Sequence, residues 1–340
     1  MIGINEFLSL RNSLPVVDVR SEGEYSSGHI RSAMNIPLLN NSERIAVGTD
    51  YKQKGQKEAI KTGFRLVGPR LGDMMDEAHK IGNELLVYCW RGGMRSANFC
   101  QFANMSRVKT HSLSGGYKSY RQLALDIFKR SYPFVVIGGY TGSGKSEILR
   151  ELSKIGEQVI DLESLANHKG SAFGGLMMPP QPSTEQFQND LFEEMSKLDP
   201  TRRIWIEDES LAVGRIFLPH DLWKQLSMGP VVELAVAKDV RIERLVNEYG
   251  GANQNEFLDA MTRITKKLGG QHYNAAREKY LSGDLGSTMD LLLNYYDKAY
   301  SAALERKKDR IKHHSVWDGK NVSKFAHQLV TEVNAAAVPV

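Results

Sequence analysis

Cysteine is nearly absent. Cys89 and Cys100 are the only two in 340 residues, which excludes a disulfide framework and leaves free thiols in a reducing compartment. No apolar run approaches the roughly 18–20 residues that a membrane span requires, so no membrane partner is expected. The stretch MIGINEFLSLRNSLPVVDVR lacks a basic region ahead of an apolar core and lacks a small-residue cleavage site. That absence of a secretory signal points to the cytoplasm. There is no tandem repeat and no low-complexity tract. Charge of one sign is not in large excess either: Lys and Arg total 44 against 40 Asp and Glu, a net +4. Such a balance suits a polyanionic partner without demanding one.

What remains is a globular chain with 41% hydrophobic and 25% charged residues, long enough for two domains. The first part alternates short apolar strands (PVVDVR, LLVYC, THSL) with helical patterns, which predicts a parallel sheet with crossover helices. A helical connector, YKSYRQLALDIFKR, leads to Pro133 and a second α/β pattern starting at FVVIGGYTGSGKSEILREL. Domains are therefore expected over 1–130 and 131–340. Later strands are QVIDL, RIWIED and VVELAVA; from Asp239 the chain reads as mostly helical, with a long helical segment from about Ser287 to Lys312.

The segment VYCWRGGMRS places Cys89 between a strand and a helix. Backbone N–H groups at such a turn, with the helix N-terminus, favour an anion and favour thiolate over thiol. Arg91 and Arg95 add guanidinium donors for an oxyanion. Cys89 is thus a candidate nucleophile facing an anionic substrate. Cys100, beside Phe99, Phe102 and Ala103, reads as a packing residue.

GYTGSGKS, Gly139 to Ser146, fits G-x-x-x-x-G-K-[ST] between an apolar strand and a helix start, the context of a phosphate-binding P-loop. Gly139, Gly142 and Gly144 let backbone amides approach a diphosphate, Lys145 brings a charge, and the Ser146 hydroxyl suits Mg²⁺. RIWIEDES supplies Glu207, Asp208 and Glu209 as candidate acidic partners. The stretch 167–189, with Phe173, Leu176, Met177 and Met178, reads either as core or as a flexible lining for a hydrocarbon. Lys266, Lys267, Arg306, Lys307 and Lys308 alternate with tyrosines in the helical tail, a pattern suited to RNA but equally to a solvated helix face.

VVDVRSEGEYSSGHIRSAMNIPL, the Cys89 loop and LSGGYKSY together resemble a rhodanese domain, in which Asp18, Arg20 and His29 read as fold-defining. Five residues separate Cys89 from Arg95, one more than in the usual rhodanese loop, so the loop also resembles the Cys-x5-Arg phosphatase cradle and suits a bulkier tetrahedral group. With GTDYKQKGQKEAIKTG, GGYTGSGKS, NHKGSAFG, IWIEDES and KKLGGQ in order, the chain resembles the bacterial tRNA 2-selenouridine synthase family. The fold implied is a rhodanese-like α/β domain followed by a P-loop NTPase-like α/β domain with a helical C-terminal part. The function implied is conversion of 2-thiouridine to 2-selenouridine at wobble position 34 of lysine, glutamate and glutamine tRNAs. It proceeds by S-geranylation from geranyl diphosphate and then selenation from selenophosphate, with Cys89 carrying selenium as a selenopersulfide-like species. No tightly bound cofactor is implied, and an enzyme supplying selenophosphate is a further expected partner. Other readings are a sulfurtransferase or Cys-x5-Arg phosphatase with a regulatory ATP-binding domain, and a non-catalytic RNA-binding adaptor.

Overall fold

The computed structural model describes residues 1–336 and 338; positions 337, 339 and 340, at the end of the expected second domain, lie outside the described residues. Contacts divide the chain into two units, Met1–Ile127 with Gln188–Glu193, and Phe128–Phe187 with Glu194–Val340.

The first unit is built on strands β1 (Val16–Asp18), β2 (Met34–Asn35), β3 (Glu84–Tyr88) and β4 (Lys109–Ser112). They form a parallel sheet in the order β2-β1-β3-β4. Val16 and Val17 of β1 and Leu85 to Tyr88 of β3 are buried in succession rather than alternately, as expected of central strands covered on both faces. Each such aliphatic contributes about 1.5–3 kcal/mol on leaving water. Asp18 and Arg20, both inaccessible, form a buried pair: Arg20 Nη2 donates to Asp18 Oδ2 at 2.6 Å and to Gly28 O at 2.6 Å. The guanidinium lies 3.8 Å from the Tyr117 ring centre. These contacts lock β1 to the sheet's surroundings, a structural role.

The second unit contains β5 (Phe134–Gly139), β6 (Gln158–Ile160), β7 (Ile204–Glu207), the short hairpin β8 (Ala212–Val213) and β9 (Ile216–Phe217), β10 (Val231–Val236) and β11 (Ile311–Trp317). Its five-stranded sheet runs β11-β10-β5-β7-β6, all parallel. All six residues of β5 are buried; the connection from β5 runs toward the β6 edge, while that from its neighbour β10 runs to β11 at the opposite edge. The C-terminal end of β5 is therefore a topological switch point, where open α/β sheets bind ligands. Helices Lys238–Tyr249, Gln254–Arg263, Gly270–Leu281 and Leu285–Arg306 enclose a separate apolar cluster that includes Leu245, Phe257, Met261, Met289 and Leu292.

The long helix expected to reach Lys312 ends at Arg306, and the chain then forms β11 beside β10. The strand IKHHSVW is an edge strand with alternating burial: Ser315 and Trp317 point inward while Val316 is 75% exposed. Lys312, His314 and Val316 face solvent and a polar Ser315 takes an inward position, so the strand carries no apolar run.

Candidate functional site

In the first unit, β3 ends directly at Cys89, and Gly93 caps the helix Met94–Met105. The Gly93 N–H donates to Cys89 Sγ at 3.3 Å, and Ser96 Oγ lies 3.2 Å from the sulfur. The Gly93 N–H stabilises charge developing on sulfur, while the Ser96 hydroxyl also donates to Gly93 O at 3.1 Å. Cys89 is only 3% exposed, so its sulfur lies at the base of the loop rather than on the surface. The start of helix Gly116–Ile127 clamps the loop from outside: Tyr117 N donates to Cys89 O at 2.8 Å and Lys118 N to Trp90 O at 2.9 Å.

Gly116 makes that clamp sterically feasible. Its φ is +59°, and a Cβ there would lie 2.3 Å from Cys89 O and 2.4 Å from Gly92 N. Gly116→Ala is expected to cost about 2 kcal/mol or more, read as a lower urea midpoint, with the thiol loop displaced.

Arg91 is exposed. Arg95, on the first turn of the helix, instead donates to both oxygens of Glu24, at 2.6 and 3.1 Å. Glu24 is fixed in a capping box with Ser21. Burial opposes its charge, but Arg95, the Ser21 N–H and Arg44 overcome that and hold its carboxyl below the usual range. One loop thus carries Cys89, Arg91 and Arg95, yet the Arg95 guanidinium is committed to a carboxylate. Cys100 is half-buried against the core, and burial pushes its thiol up.

In the second unit the loop 139–146 leaves the C-terminal end of β5 and enters helix Lys145–Lys154. Gly144 has φ +79° and faces Arg244 and Trp317 so closely that a Cβ would lie 2.6 Å from the guanidinium. The loop borders a cavity of about 940 Å³. Lys145 Nζ donates to Gly139 O at 3.2 Å, and Ser146 Oγ donates to Glu163 Oε2 at 2.8 Å. Lys145, Arg150, Lys169 and Arg244 bring basic groups to the cavity wall, while Asp161, Glu163, Asp208 and Glu209 bring carboxyl groups.

The acidic strand end divides into three fates. Glu207 is inaccessible and accepts from Leu162 N at 2.6 Å; burial, then Asp161 and Glu163, push its carboxyl well above the usual range. It supports the helix Leu162–Ala166 and is not among the cavity's lining residues. Asp208 lines the cavity but is paired with Lys307, whose Nζ lies 2.5 and 2.6 Å from its two oxygens. Glu209 also lines it, and its carboxyl is pushed up to about 8 by burial and by Glu163, against the opposing effect of Lys145. Glu209 therefore holds its proton at neutral pH. A carboxyl whose folded value is raised contributes stability present at low pH, which is lost as pH rises from the ordinary value of 4.5 through about 8. Glu209→Gln is expected to flatten that loss and to melt above the unsubstituted protein at pH 8.

Reasoning from sequence missed Glu163, Lys169 and Arg244. Lys169 stands inside NHKGSAFG, the one available signal, whereas nothing local marks Glu163 or Arg244. Of the four apolar residues considered for a hydrocarbon lining, Met178 lines the cavity. Phe173 and Leu176 belong to the helical core, and Met177 is 58% exposed.

The basic residues are dispersed. Lys266 and Lys267 are exposed on the short helix Thr265–Leu268. Arg306, the last residue of the long helix, and Lys308 beyond it are exposed; Arg306 Nε donates to Ala302 O at 3.1 Å and Lys308 Nζ lies 3.5 Å from Glu305. Lys307 turns to Asp208 instead, because adjacent residues at a helix end point in different directions. Among the described residues, no group of three or more His, Cys, Asp or Glu side chains is arranged to hold a metal ion, and no helix is long and apolar enough to cross a membrane.

A thiol loop at the end of a parallel strand, followed by a P-loop at the switch point of a second parallel sheet, defines a two-domain α/β protein. Residues 4–123 match the rhodanese-like domain, and residues 132–332 match the tRNA 2-selenouridine synthase AAA domain. The chain is 34% identical to the tRNA 2-selenouridine synthase of Sulfurovum sp. (strain NBC37-1), over 88% of this chain and 91% of that protein. It is also 34% identical to the synthase of Marinobacter nauticus, over 91% of this chain and 92% of that one. A solved structure, the N-terminal domain of an ATP/GTP binding protein from Clostridium difficile 630, is 41% identical over 37% of this chain and 98% of its own, with a TM-score of 0.35. The chain belongs to the tRNA 2-selenouridine synthase family, and is thereby an enzyme of tRNA modification.

Proposed function

We propose that this protein converts 2-thiouridine at position 34 of lysine, glutamate and glutamine tRNAs to 2-selenouridine in two chemically distinct steps. One observation carries the reading: a single chain holds a thiol that accepts from the Gly93 N–H and, in its other unit, a P-loop opening on a large cavity lined by charged residues. One reaction with one donor needs only one of these.

In the first step the thione sulfur attacks the allylic carbon of geranyl diphosphate; a C–S bond forms, the C–O bond breaks, diphosphate leaves, and the base loses its N3 proton to water. Lys145 and the loop amides are suited to the charge that develops on that leaving group. Where Mg²⁺ accompanies the diphosphate, Ser146 Oγ and the adjacent Glu163 are the groups to hold it: this cation uses one or two protein oxygens and completes its shell with phosphate and water. Its chemistry there is neutralisation of phosphate charge.

In the second step selenium from selenophosphate replaces the alkylated sulfur. A C–Se bond forms, the C–S bond breaks, geranyl thiol departs with a proton, and water takes the phosphoryl group as phosphate. Cys89 is the nucleophile: its sulfur attacks phosphorus, an S–P bond forms as the P–Se bond breaks, the hydroselenide released adds to the alkylated carbon, and water then hydrolyses the S–P bond; the Gly93 N–H donates to that sulfur and Arg91 belongs to the same loop. The exposed Lys266, Lys267, Arg306 and Lys308 are assigned to tRNA phosphates, and Lys307 to the cavity. A selenophosphate-supplying enzyme and a cytoplasmic location complete the reading. Wobble nucleosides from cells lacking this protein should contain no 2-selenouridine by mass spectrometry; its persistence at normal level contradicts the assignment.

A further inference from the structure

Helices Asn41–Lys54 and Gln56–Val67, joined at Gly55, pack on each other in the first unit. The first of them contains no buried residue, so it adds little to the core. Together with the helix Met94–Met105 they enclose a half-open pocket of about 150 Å³. Val47, Ile60, Gly63, Phe64, Met94 and Phe102 are among the residues of its almost wholly apolar wall. Its rim leaves large apolar side chains in water: Tyr51 and Phe64 are each 59% exposed and Met94 49%. Apolar surface gathered around a concavity in this way marks a ligand site.

The pocket's place in the fold indicates what it serves. Met94 and Arg95, which line it, close the same loop that begins with Cys89. Gln56, at the start of the second helix, has its Nε2 4.0 Å from Met94 Sδ. The pocket thus abuts the thiol loop through shared residues. A cavity of this size lined by aliphatic and aromatic groups takes a benzene-sized hydrocarbon, which accommodates the terminal isoprene unit and part of the next. The remainder would lie across Phe64 and Met94 toward the loop.

We propose that this pocket holds the geranyl tail of the S-geranylated wobble nucleotide during selenation. The inference rests on the two-step reading above and extends it. The tail anchors the intermediate beside Cys89, so that the thiol unit selects alkylated nucleotide over unmodified 2-thiouridine. No bond is made or broken in the pocket, and geranyl thiol leaves from it.

Gly63→Leu tests this directly. A Cβ at Gly63 meets nothing within 4 Å, and leucine is the better helix former, so the variant fills the pocket without straining the fold. Phe64→Gln, at an exposed position, is the second variant and removes rim surface alone. Binding of the full-length protein to a short RNA bearing S-geranyl-2-thiouridine is compared with its binding to the S-methyl analogue by fluorescence anisotropy. The unsubstituted protein should prefer the geranyl RNA, Gly63→Leu should lose about tenfold or more of that preference, and Phe64→Gln should lose a smaller part, with S-methyl binding unchanged. Full retention of the preference in both variants overturns the proposal and places the tail elsewhere. Geranylation from geranyl diphosphate is assayed separately. Its absence, with the preference still lost in Gly63→Leu, would remove the two-step reading and leave the pocket standing. Normal geranylation with the preference intact would do the reverse.

Discussion

Cys89→Ala is expected to abolish 2-selenouridine formation while S-geranyl-2-thiouridine accumulates. Losing a group that acts as a catalytic nucleophile costs on the order of 10⁴-fold or more in rate. The substitution deletes one sulfur from a buried position whose neighbours, Ser96 Oγ and the Gly93 N–H, are themselves hydrogen-bonded or near solvent, so the fold should survive. Mass spectrometry of tRNA nucleosides after incubation with geranyl diphosphate and selenophosphate separates the two steps. Equal loss of both products would mean that the thiol unit is needed for geranylation as well, and the division of labour would fail.

Lys145→Ala is expected to give the complementary phenotype: little S-geranyl product and weaker binding of geranyl diphosphate, but normal selenation of pre-geranylated tRNA. Removing a charge aimed at a developing oxyanion costs roughly 10²–10³ in rate. Lys145 Nζ makes a hydrogen bond to Gly139 O within its own loop, so its loss should leave the sheet intact. Geranylation at the unsubstituted rate would exclude the P-loop from that step.

Much of this arrangement was legible in the sequence. Buried parallel strands carry apolar runs, and β1, β3, β5, β7 and β10 were found that way; the P-loop and the cysteine loop were framed by strand and helix on either side. β11 was not, because an edge strand needs few apolar residues and IKHHSVW has few. Side-chain allegiance was the other gap. Arg95 turns to Glu24, a residue 71 positions away, and Lys307 turns to Asp208, 99 positions away. Glu207 and Asp208 are neighbours in sequence, yet strand alternation sends one into the core and the other to the cavity. The pocket between the helices 41–54, 56–67 and 94–105 was equally hidden: its wall takes Val47 from the first, Ile60 and Phe64 from the second and Met94 and Phe102 from the third, and exists only when they meet.

The most direct test of the account is a single-turnover reaction of the unsubstituted enzyme with 2-thiouridine tRNA and selenophosphate, run with and without geranyl diphosphate. The account predicts 2-selenouridine and an equal amount of geranyl thiol when the prenyl donor is present, and neither without it. Selenation at the same rate in its absence would contradict it.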